Sequence, residues 1–434
     1  MTELSSENAS NKPIKNVLYA QAGGVSAVIN ASAAAVIETV RQHPTIFGRI
    51  YAAREGIQGL LEEALIDLTH LPPQKLNILK HQPAAAFQSC RFDLVPLEHS
   101  PEQFERILAI FQHYQIGYFF YNGGNGSMVT AQKVADYCRQ QGHEVACIGV
   151  AKTIDNDLAL SHCSPGFGSA AKYIATSFLE ATLDIASTHR SSTKFFIMET
   201  MGRNAGWLTI AAALIKDVMP NAPLLILPAE RPFNQTAFLA KVEQLVNEHG
   251  YCVCAVSEGL RDEQGKYIRI ADVEHTCEQD YTQLGGVAQT VAHIVNTEFG
   301  YKTHSAIPDN LQRSCSHLVS ATDWRIAYGA GKASVQAAIY GLHGVLPVVK
   351  LTSSMPFQWS YENVELSQVA DLEKHVPYEF LSEDGMDVTE EALDYLRPLI
   401  QGERPVIFKN GLPNIPEMIF ENVNKKLPPF SATK

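Results

Sequence analysis

The feature that most constrains this chain is a pattern that recurs through its first 260 residues. A short apolar run ends abruptly at glycine or polar residues, and a helix-like stretch often follows. The runs are NVLYA (16–20), GYFFY (117–121), VACIGV (145–150), KFFIME (194–199), APLLILP (222–228) and YCVCAV (251–256). Strands that are apolar throughout are typical of parallel sheets covered by helices on both faces. We therefore predict an α/β fold with two doubly wound parallel-sheet lobes and a C-terminal extension.

This architecture also predicts where a ligand would bind. In open α/β sheets, ligands lie outside the carboxyl ends of the strands. The glycine and polar clusters of this chain follow directly after the apolar runs, so they lie at those ends. We therefore expect several of these clusters to converge on one cleft between the two lobes.

Composition excludes several classes of function. Acidic residues outnumber basic ones by 46 to 34, which gives a formal net charge of −12. Such a surface is unsuited to general binding of nucleic acid or anionic membrane, although a few placed cations and backbone N–H groups can still bind a small anion. There is no C-x-x-C pair, no apolar stretch of transmembrane length and no secretory h-region near the N-terminus. We expect a cytoplasmic protein with no membrane or nucleic-acid partner.

Two glycine-rich segments stand between a predicted strand and a predicted helix. AQAGGVSAVINAS (20–32) carries Gly23 and Gly24, and NGGNGSM (122–128) carries three more glycines and Ser127. Glycines at this position let backbone N–H groups approach an anion at a helix N-terminus. Neither segment is a Walker A loop. Each could equally be a plain tight turn, but the presence of two favours phosphate chemistry.

Three further segments carry charged groups at predicted strand ends. AKTIDNDL (151–158) places Lys152, Asp155 and Asp157 within six residues, so that one carboxylate could accept a proton while the lysine offsets phosphate charge. METMGRNAGW (198–207) holds Arg203, which could clamp a phosphate. SEGL (257–260) holds Glu258, which could accept hydrogen bonds from sugar hydroxyls. A surface turn, a helix cap or a solvated charge is the alternative for each segment alone.

Taken in this order, the motifs resemble those of the 6-phosphofructokinase family. The resemblance covers about residues 17–341, and K-T-I-D-N-D and M-G-R-x-A-G-W are its most specific parts. The long chain is most similar to the pyrophosphate-dependent branch, which phosphorylates the 1-hydroxyl of fructose 6-phosphate. The resemblance implies a reversible glycolytic phosphotransferase.

The resemblance also implies residue roles. The implied catalytic residues are Asp155, Lys152 and Arg203, with Asp155 as the base. Asn125 and Asp157 would hold Mg²⁺, Asn125 standing where the family usually has aspartate. The implied donor-binding residues are Gly23, Gly24, Arg91, Gly124, Gly126 and Ser127. The implied substrate-binding residues are Thr153, Asp155, Met201, Gly202, Arg203, Glu258, Asn310, Arg313 and Lys194. Asn310 replaces the family's usual tyrosine, and Lys194 replaces an arginine that reaches across a subunit interface, so a homodimer or homotetramer is implied.

Two positions bear on the phosphoryl donor and point in different directions. Lys152 favours pyrophosphate, because a lysine can neutralise a small and highly charged donor. Gly126 stands where the pyrophosphate branch typically carries aspartate, and a glycine leaves room for a nucleotide. Pyrophosphate is the favoured donor, and ATP stays open.

Two other functions share part of this pattern. Another G-G-x-G-[ST] kinase, of the NAD or diacylglycerol type, would lack K-T-I-D-N-D and M-G-R-x-A-G-W. A non-catalytic regulatory paralogue that binds sugar phosphate is left open by Asn125 and Asn310, although Lys152, Asp155 and Asp157 are retained.

Lobe boundaries follow from the same pattern. We expect a donor-binding lobe from 16–160 with about 260–330, a sugar-phosphate lobe from about 161–259 with about 331–350, and an extension over about 351–434. Within the last part, the segment after 346 is predicted as a strand followed by a polar helix, and DVTEEALDYLRPLI (387–400) as a further helix.

Overall fold

A computed structural model describes residues 13–268, 284–370 and 372–430; Cys277 lies outside these ranges. The strands are β1 (Lys15–Gln21), β2 (Phe47–Ala53), β3 (Leu65–Asp67), β4 (Ile116–Gly123), β5 (Ala146–Ala151), β6 (Phe195–Thr200), β7 (Leu224–Leu227), β8 (Cys252–Ser257), β9 (Thr303–Ala306), β10 (Val345–Ser354), β11 (Phe357–Glu365), β12 (Phe408–Lys409) and β13 (Leu412–Pro413). The α-helices are α1 (Ile29–Arg41), α2 (Gly56–Leu61), α3 (Pro73–Leu79), α4 (Pro101–His113), α5 (Asn125–Gln140), α6 (Phe167–Thr188), α7 (Trp207–Ala211), α8 (Gln235–His249), α9 (Val287–Phe299), α10 (Leu311–Ser314), α11 (Ala321–Ile339) and α12 (Glu390–Leu396).

Two sheets organise the molecule. The first has the order β11-β10-β5-β4-β1-β2-β3, and the second has the order β7-β8-β6-β9. Every pairing in the second sheet is parallel, and in the first sheet only the edge strands β3 and β11 are antiparallel. All six apolar runs of the sequence form strands, so the predicted α/β fold with two parallel-sheet lobes is confirmed.

The burial of alternate residues explains why these strands are apolar throughout. Along β1, Val17 and Tyr19 enter one hydrophobic cluster while Leu18 and Ala20 enter another on the opposite face. The second sheet is likewise buried on both faces. Because a strand alternates its side chains between two faces, a strand covered by helices on both sides must be apolar at every position.

Strand pairing contradicts two of the expected lobe boundaries. Residues 260–330 were expected with the first lobe, but β9 pairs in parallel with β6 of the second sheet. Residues 331–350 were expected with the second lobe, but β10 pairs with β5 of the first sheet. Helix α11 returns the chain to the first lobe, where it packs closely against α1. The two helices approach so closely that a Cβ at Gly331 would lie 2.3 Å from the Ser32 carbonyl oxygen. Each of these pairings joins strands that are distant in sequence, so no local sequence pattern predicts it.

The C-terminal part is joined closely to both lobes. The segment after 346 forms two strands, β10 and β11, whereas one strand followed by a polar helix was predicted. Phe357, Trp359 and Tyr361 alternate along β11 and pack against the core of the second lobe. Helix α12 confirms the other prediction and buries Leu393 and Leu396 in the same core. In the described part of the chain, no helix has the length and apolar character needed to cross a membrane.

Candidate active site

The candidate site lies where the carboxyl ends of strands from both sheets meet. Loops after β1, β4 and β5 enter it from the first lobe, and loops after β6 and β8 enter it from the second. Charges carried by these loops act on one another, since Glu258 after β8 contributes to the raised pKa of Asp155 after β5. The two lobes therefore share one charged cleft, as the sequence predicted.

The first glycine loop lies against two cationic side chains. Gly23 has a φ of +70°, which only glycine adopts easily, and its N–H donates to the Cys90 carbonyl over 3.0 Å. A Cβ at Gly23 would lie 3.5 Å from Lys152 Nζ, and one at Gly24 would lie 3.4 Å from Arg313 Nη1. The loop therefore brings bare backbone close to two positive charges, which suits an anionic ligand.

The second glycine loop begins helix α5 beside the first. A Cβ at Gly124 would lie 3.5 Å from the Lys152 carbonyl oxygen, so the loops after β4 and β5 are in contact. The Ser127 side chain lies against Gly123 in the first turn of the helix. Gly126 differs from these glycines, because among the described residues no group outside the adjacent helix backbone lies within 4 Å of the position that its Cβ would take.

Lys152 is the buried cation of the site. Its side chain is 4% exposed, and its backbone N–H donates to the Gly123 carbonyl over 3.1 Å. The pKa of Lys152 is lowered to about 8, chiefly by burial and also by the charges of Arg313 and Arg91, while Asp155 and Asp157 oppose the shift. A desolvated ammonium of this kind interacts strongly with a phosphate that enters the cleft.

Asp155 carries the perturbed carboxylate expected of a base. Burial raises the pKa of Asp155 to about 7, and the negative charges of Asp157 and Glu258 add to the shift, while Lys152 and Arg313 oppose it. Its side chain remains only partly buried, so a ligand in the cleft can reach it. A carboxylate with a pKa near neutrality accepts a proton effectively at physiological pH.

Asn125 and Asp157, the predicted ligands of Mg²⁺, lie side by side. The Asn125 amide donates its N–H to Asp157 Oδ2 over 3.1 Å. The other two oxygens, Asn125 Oδ1 and Asp157 Oδ1, are buried and have no hydrogen-bond partner. No cluster of three or more His, Cys, Asp or Glu that could hold a metal occurs among the described residues. Two orphaned hard oxygens fit Mg²⁺, which commonly binds through one or two protein groups plus substrate phosphates and water.

The second lobe contributes the loop after β6 and the glutamate after β8. Gly202 has a φ of +129°, and its N–H donates to Glu258 Oε1 over 3.1 Å. Burial raises the pKa of Glu258, while the Gly202 hydrogen bond and the charge of Arg203 lower it. The Met201 N–H donates to Gln312 Oε1 over 3.2 Å. The predicted sugar-side residues are thus held together by their own backbone contacts.

Arg91 and Arg313 reach the same cleft from distant parts of the chain. Burial lowers the pKa of Arg313, as does the nearby charge of Arg91, while Asp309 and Asp155 oppose the shift. The Arg313 guanidinium donates to the Asn310 side-chain oxygen in the same turn. Arg91, Arg313 and Lys152 thus repel one another in the cleft, and a bound anion would reduce this repulsion.

Lys194 is the predicted site residue that the structure does not bring to this cleft. It precedes β6, and its backbone carbonyl accepts from Cys252 N–H at the start of β8. Met201 and Arg203 follow the opposite, carboxyl end of β6. Lys194 therefore cannot reach the cleft of its own chain, and a role in ligand binding would require a second copy of the protein.

Two residues of the site were not predicted from the sequence. Gln312 is buried, accepts from the Met201 N–H and donates to the Asp309 carbonyl over 3.0 Å. Asp309 has a left-handed backbone, and its charge acts on Glu258 and Arg313. Gln312 lies within the segment NLQRS (310–314), which also carries Asn310 and Arg313, and Asp309 directly precedes it. Proximity to Arg313 in the sequence was therefore the available signal.

Known proteins of similar sequence and structure match this chain over nearly its whole length. The chain is 45% identical over 415 residues to a pyrophosphate–fructose 6-phosphate 1-phosphotransferase from Halomonas elongata, covering 96% of this chain and 99% of the relative. A protein of the same name from Xanthomonas campestris is 46% identical over 419 residues, with the same coverage. A solved pyrophosphate-dependent phosphofructokinase from Nitrosospira multiformis has a TM-score of 0.89 and 42% identity, covering 96% of this chain and 100% of that one.

The profile of the family described as phosphofructokinase matches residues 16–338. That range includes both glycine loops, Lys152, Asp155 and Arg313, which the fold brings to one cleft. The chain therefore belongs to the phosphofructokinase family.

Proposed function

We propose that this protein transfers a phosphoryl group from pyrophosphate to the 1-hydroxyl of fructose 6-phosphate, giving fructose 1,6-bisphosphate. One observation carries the proposal: Lys152, with a lowered pKa, and Asp155, with a raised pKa, lie between two glycine loops at the junction of the lobes. The full-length similarity to proteins named pyrophosphate–fructose 6-phosphate 1-phosphotransferase supports this choice of substrates.

The proposed reaction is an in-line phosphoryl transfer. Asp155 accepts the proton of the sugar 1-hydroxyl, and the sugar oxygen then attacks the terminal phosphorus of pyrophosphate. The bond from that phosphorus to the bridging oxygen breaks, and orthophosphate leaves. Lys152 and Arg203 stabilise the charge that spreads over the phosphoryl oxygens.

The two substrates occupy opposite sides of the cleft in this proposal. The donor side is formed by the two glycine loops and Arg91; the residues are Gly23, Gly24, Arg91, Gly124, Gly126 and Ser127. The sugar side is formed mainly by the second lobe; the residues are Thr153, Met201, Gly202, Arg203, Glu258, Asn310 and Arg313. The Gly202 N–H holds Glu258 Oε1, and in this proposal the Glu258 carboxylate accepts a hydrogen bond from a sugar hydroxyl.

We propose Mg²⁺ as the cofactor, held by Asn125 and Asp157. The orphaned oxygens of these two residues support this assignment. When bound, the ion would neutralise charge on the donor phosphates. Asn125 supplies a neutral oxygen where a carboxylate would add charge, so its share of the binding is weaker.

ATP is the second candidate donor, and one observation favours it. The space beside Gly126 is open, so this position does not exclude a nucleotide. The deciding assay measures turnover of fructose 6-phosphate and Mg²⁺ with pyrophosphate and with ATP in parallel. We expect pyrophosphate turnover to dominate. Dominant ATP turnover would reverse the choice of donor, and sugar-phosphate binding without turnover from either donor would favour a regulatory paralogue.

The role of Asp155 is tested by Asp155→Ser, which removes the proton acceptor while keeping a small polar side chain. Loss of a general base should lower kcat by about a hundredfold or more. Asp136→Ser is the control, because Asp136 lies on the surface of α5, away from the cleft, and pairs there with Gln132 and Arg139. Near-full turnover of a well-folded Asp155→Ser protein would contradict the assignment.

Assembly and compartment complete the proposal. We propose a homodimer or homotetramer in which Lys194 approaches the sugar-phosphate site of a neighbouring copy, because it cannot reach its own. We also propose a cytoplasmic location. The free thiols of the described cysteines are compatible with a reducing compartment.

A further inference from the structure

Asn156 is the residue between the two site carboxylates, and the active-site assignment gives it no role. Its side chain is 0% exposed, whereas Asp155 and Asp157 remain partly exposed. Its φ of +56° is left-handed, a conformation that asparagine tolerates better than most residues. The turn therefore points Asn156 inward, and the two carboxylates depend on that turn for their orientation.

Both ends of the Asn156 amide are held. Its Oδ1 accepts from the Ser164 N–H over 2.9 Å, and its Nδ2 donates to the Tyr395 hydroxyl over 2.8 Å. Tyr395 belongs to α12, far along the chain. The Tyr395 hydroxyl in turn donates to the His162 carbonyl over 2.5 Å. This hydroxyl therefore accepts from Asn156 and donates to His162, both in the loop after β5.

A second C-terminal residue holds the same loop. The Lys374 backbone N–H donates to the Asp157 carbonyl over 2.8 Å. Lys374 Nζ donates to the carbonyls of Ser161 and His162 over 3.0 and 2.9 Å. The ammonium also lies over the Trp207 ring, 4.9 Å from its centre, and that ring packs against Tyr395. The loop from 157 to 162 is thus tied to two C-terminal residues through three of its carbonyls.

The C-terminal stretch that carries Lys374 also contacts the loop after β6. The Asn204 amide donates to Glu373 Oε1 over 3.0 Å, and the Asn204 carbonyl lies 3.0 Å from His375 Nδ1. Asn204 immediately follows Arg203. One short stretch therefore bridges the loop of the proposed base and the loop of the proposed phosphate clamp.

We propose that the C-terminal region positions the catalytic turn, with Tyr395 and Lys374 as positioning residues that hold Asn156 and the 157–162 loop so that Asp155 and Asp157 face the cleft. Neither residue need touch a substrate in this role. The kinetic part of the inference rests on the proposed function, whereas the structural part does not.

Tyr395→Phe is the test, and Tyr361→Phe is its matched control. Tyr361 packs against the same core, and its hydroxyl likewise accepts once, from Trp359 Nε1, and donates once, to the Ile326 carbonyl. Of these two tyrosines, Tyr395 is the one whose hydroxyl bonds to the catalytic turn, through Asn156 and the His162 carbonyl. We expect similar losses of melting temperature in the two variants. We expect kcat to fall about tenfold to a hundredfold in Tyr395→Phe alone, with KM for fructose 6-phosphate within about twofold of wild type.

Hydrogen exchange separates this inference from the proposed function, because it requires no turnover. Amides of residues 156–164 should exchange about tenfold faster in Tyr395→Phe and in Lys374→Met, and at the wild-type rate in Tyr361→Phe. Lys374→Met removes the ammonium that donates to Ser161 and His162 but keeps an unbranched side chain, and it serves if Tyr395→Phe fails to fold. Unchanged exchange in these two variants, or equal loss of kcat in Tyr361→Phe, overturns the proposal. An inactive wild-type protein would refute the proposed function alone.

Discussion

The pH dependence of kcat/KM follows directly from the two perturbed groups of the cleft. Asp155 must be ionised to accept a proton, and its pKa is raised to about 7. Lys152 must be protonated to stabilise phosphate charge, and its pKa is lowered to about 8. The value of kcat/KM should therefore rise with pH up to about 7 and fall above about 8, which gives a narrow bell-shaped pH profile.

The size of each limb can be worked out from these values. One pH unit below the pKa of Asp155, only about a tenth of the free enzyme carries the ionised base, so kcat/KM should be about tenfold lower at pH 6 than its limit. An aspartate with an ordinary pKa would instead keep the base ionised throughout this range. The midpoint of the acid limb thus measures how far burial and the neighbouring carboxylates raise the pKa of Asp155.

Two variants assign the limbs to their residues. Lys152→Arg retains a positive charge that does not titrate below pH 12, so the alkaline limb near 8 should disappear. Glu258→Gln removes one of the negative charges that raise the pKa of Asp155, so the acid limb should move to lower pH. Lys216→Arg is the control, since Lys216 pairs with Asp387 outside the cleft and should leave both limbs in place.

The measurement is the initial rate at limiting fructose 6-phosphate and saturating donor from pH 5 to 9.5. Ionisation of the substrates is common to all variants, so the comparison between proteins isolates the groups of the enzyme. A wild-type profile that stays flat down to pH 5 would refute the raised pKa of Asp155 as the functional one. An alkaline limb that persists near 8 in Lys152→Arg would refute the assignment to Lys152.

Two further predictions concern the donor site and the fold. Gly126→Asp should reduce any turnover with ATP by about tenfold or more and leave pyrophosphate turnover within a few-fold, because the open space beside Gly126 can hold a carboxylate that would repel a nucleotide phosphate; equal losses with both donors would contradict this. Asp323→Ala should lower the free energy of unfolding by about 3 kcal/mol in a urea titration, because the buried Asp323 carboxylate accepts from the N–H groups of Gly166 and Ser169 and from the Ser169 hydroxyl. A loss below about 1 kcal/mol would mean that water replaces Asp323 at these donors.

Local sequence signals were sufficient for the strands and for the segments that carry chemistry. A strand buried on both faces must be apolar at every position, so the six apolar runs could be recognised directly. The loops after those strands had to lie at one edge of each sheet, because parallel strands share their direction. Lys152, Asp155 and Asp157 were found for the same reason, since they follow an apolar strand within a few residues.

The lobe to which each late segment belongs was decided only by tertiary structure. The pairing of β9 with β6 and of β10 with β5 depends on how α9 and α11 pack, and helix packing depends on surfaces that are distant in sequence. The second strand of the segment after 346, at 357–365, was not predicted, because polar residues alternate with its aromatic residues. Its aromatic residues alternate toward a core that the local sequence does not reveal.

The sequence by itself determined the class of fold, the two glycine-rich loops at strand ends and the identity of the charged groups, because each of these is encoded within about ten neighbouring residues. Tertiary structure alone decided that Gly24 faces Arg313 and that Tyr395 holds the turn between the two carboxylates. These relations join residues that are distant along the chain, and their physical basis is close packing, which becomes specified only when the whole chain has folded.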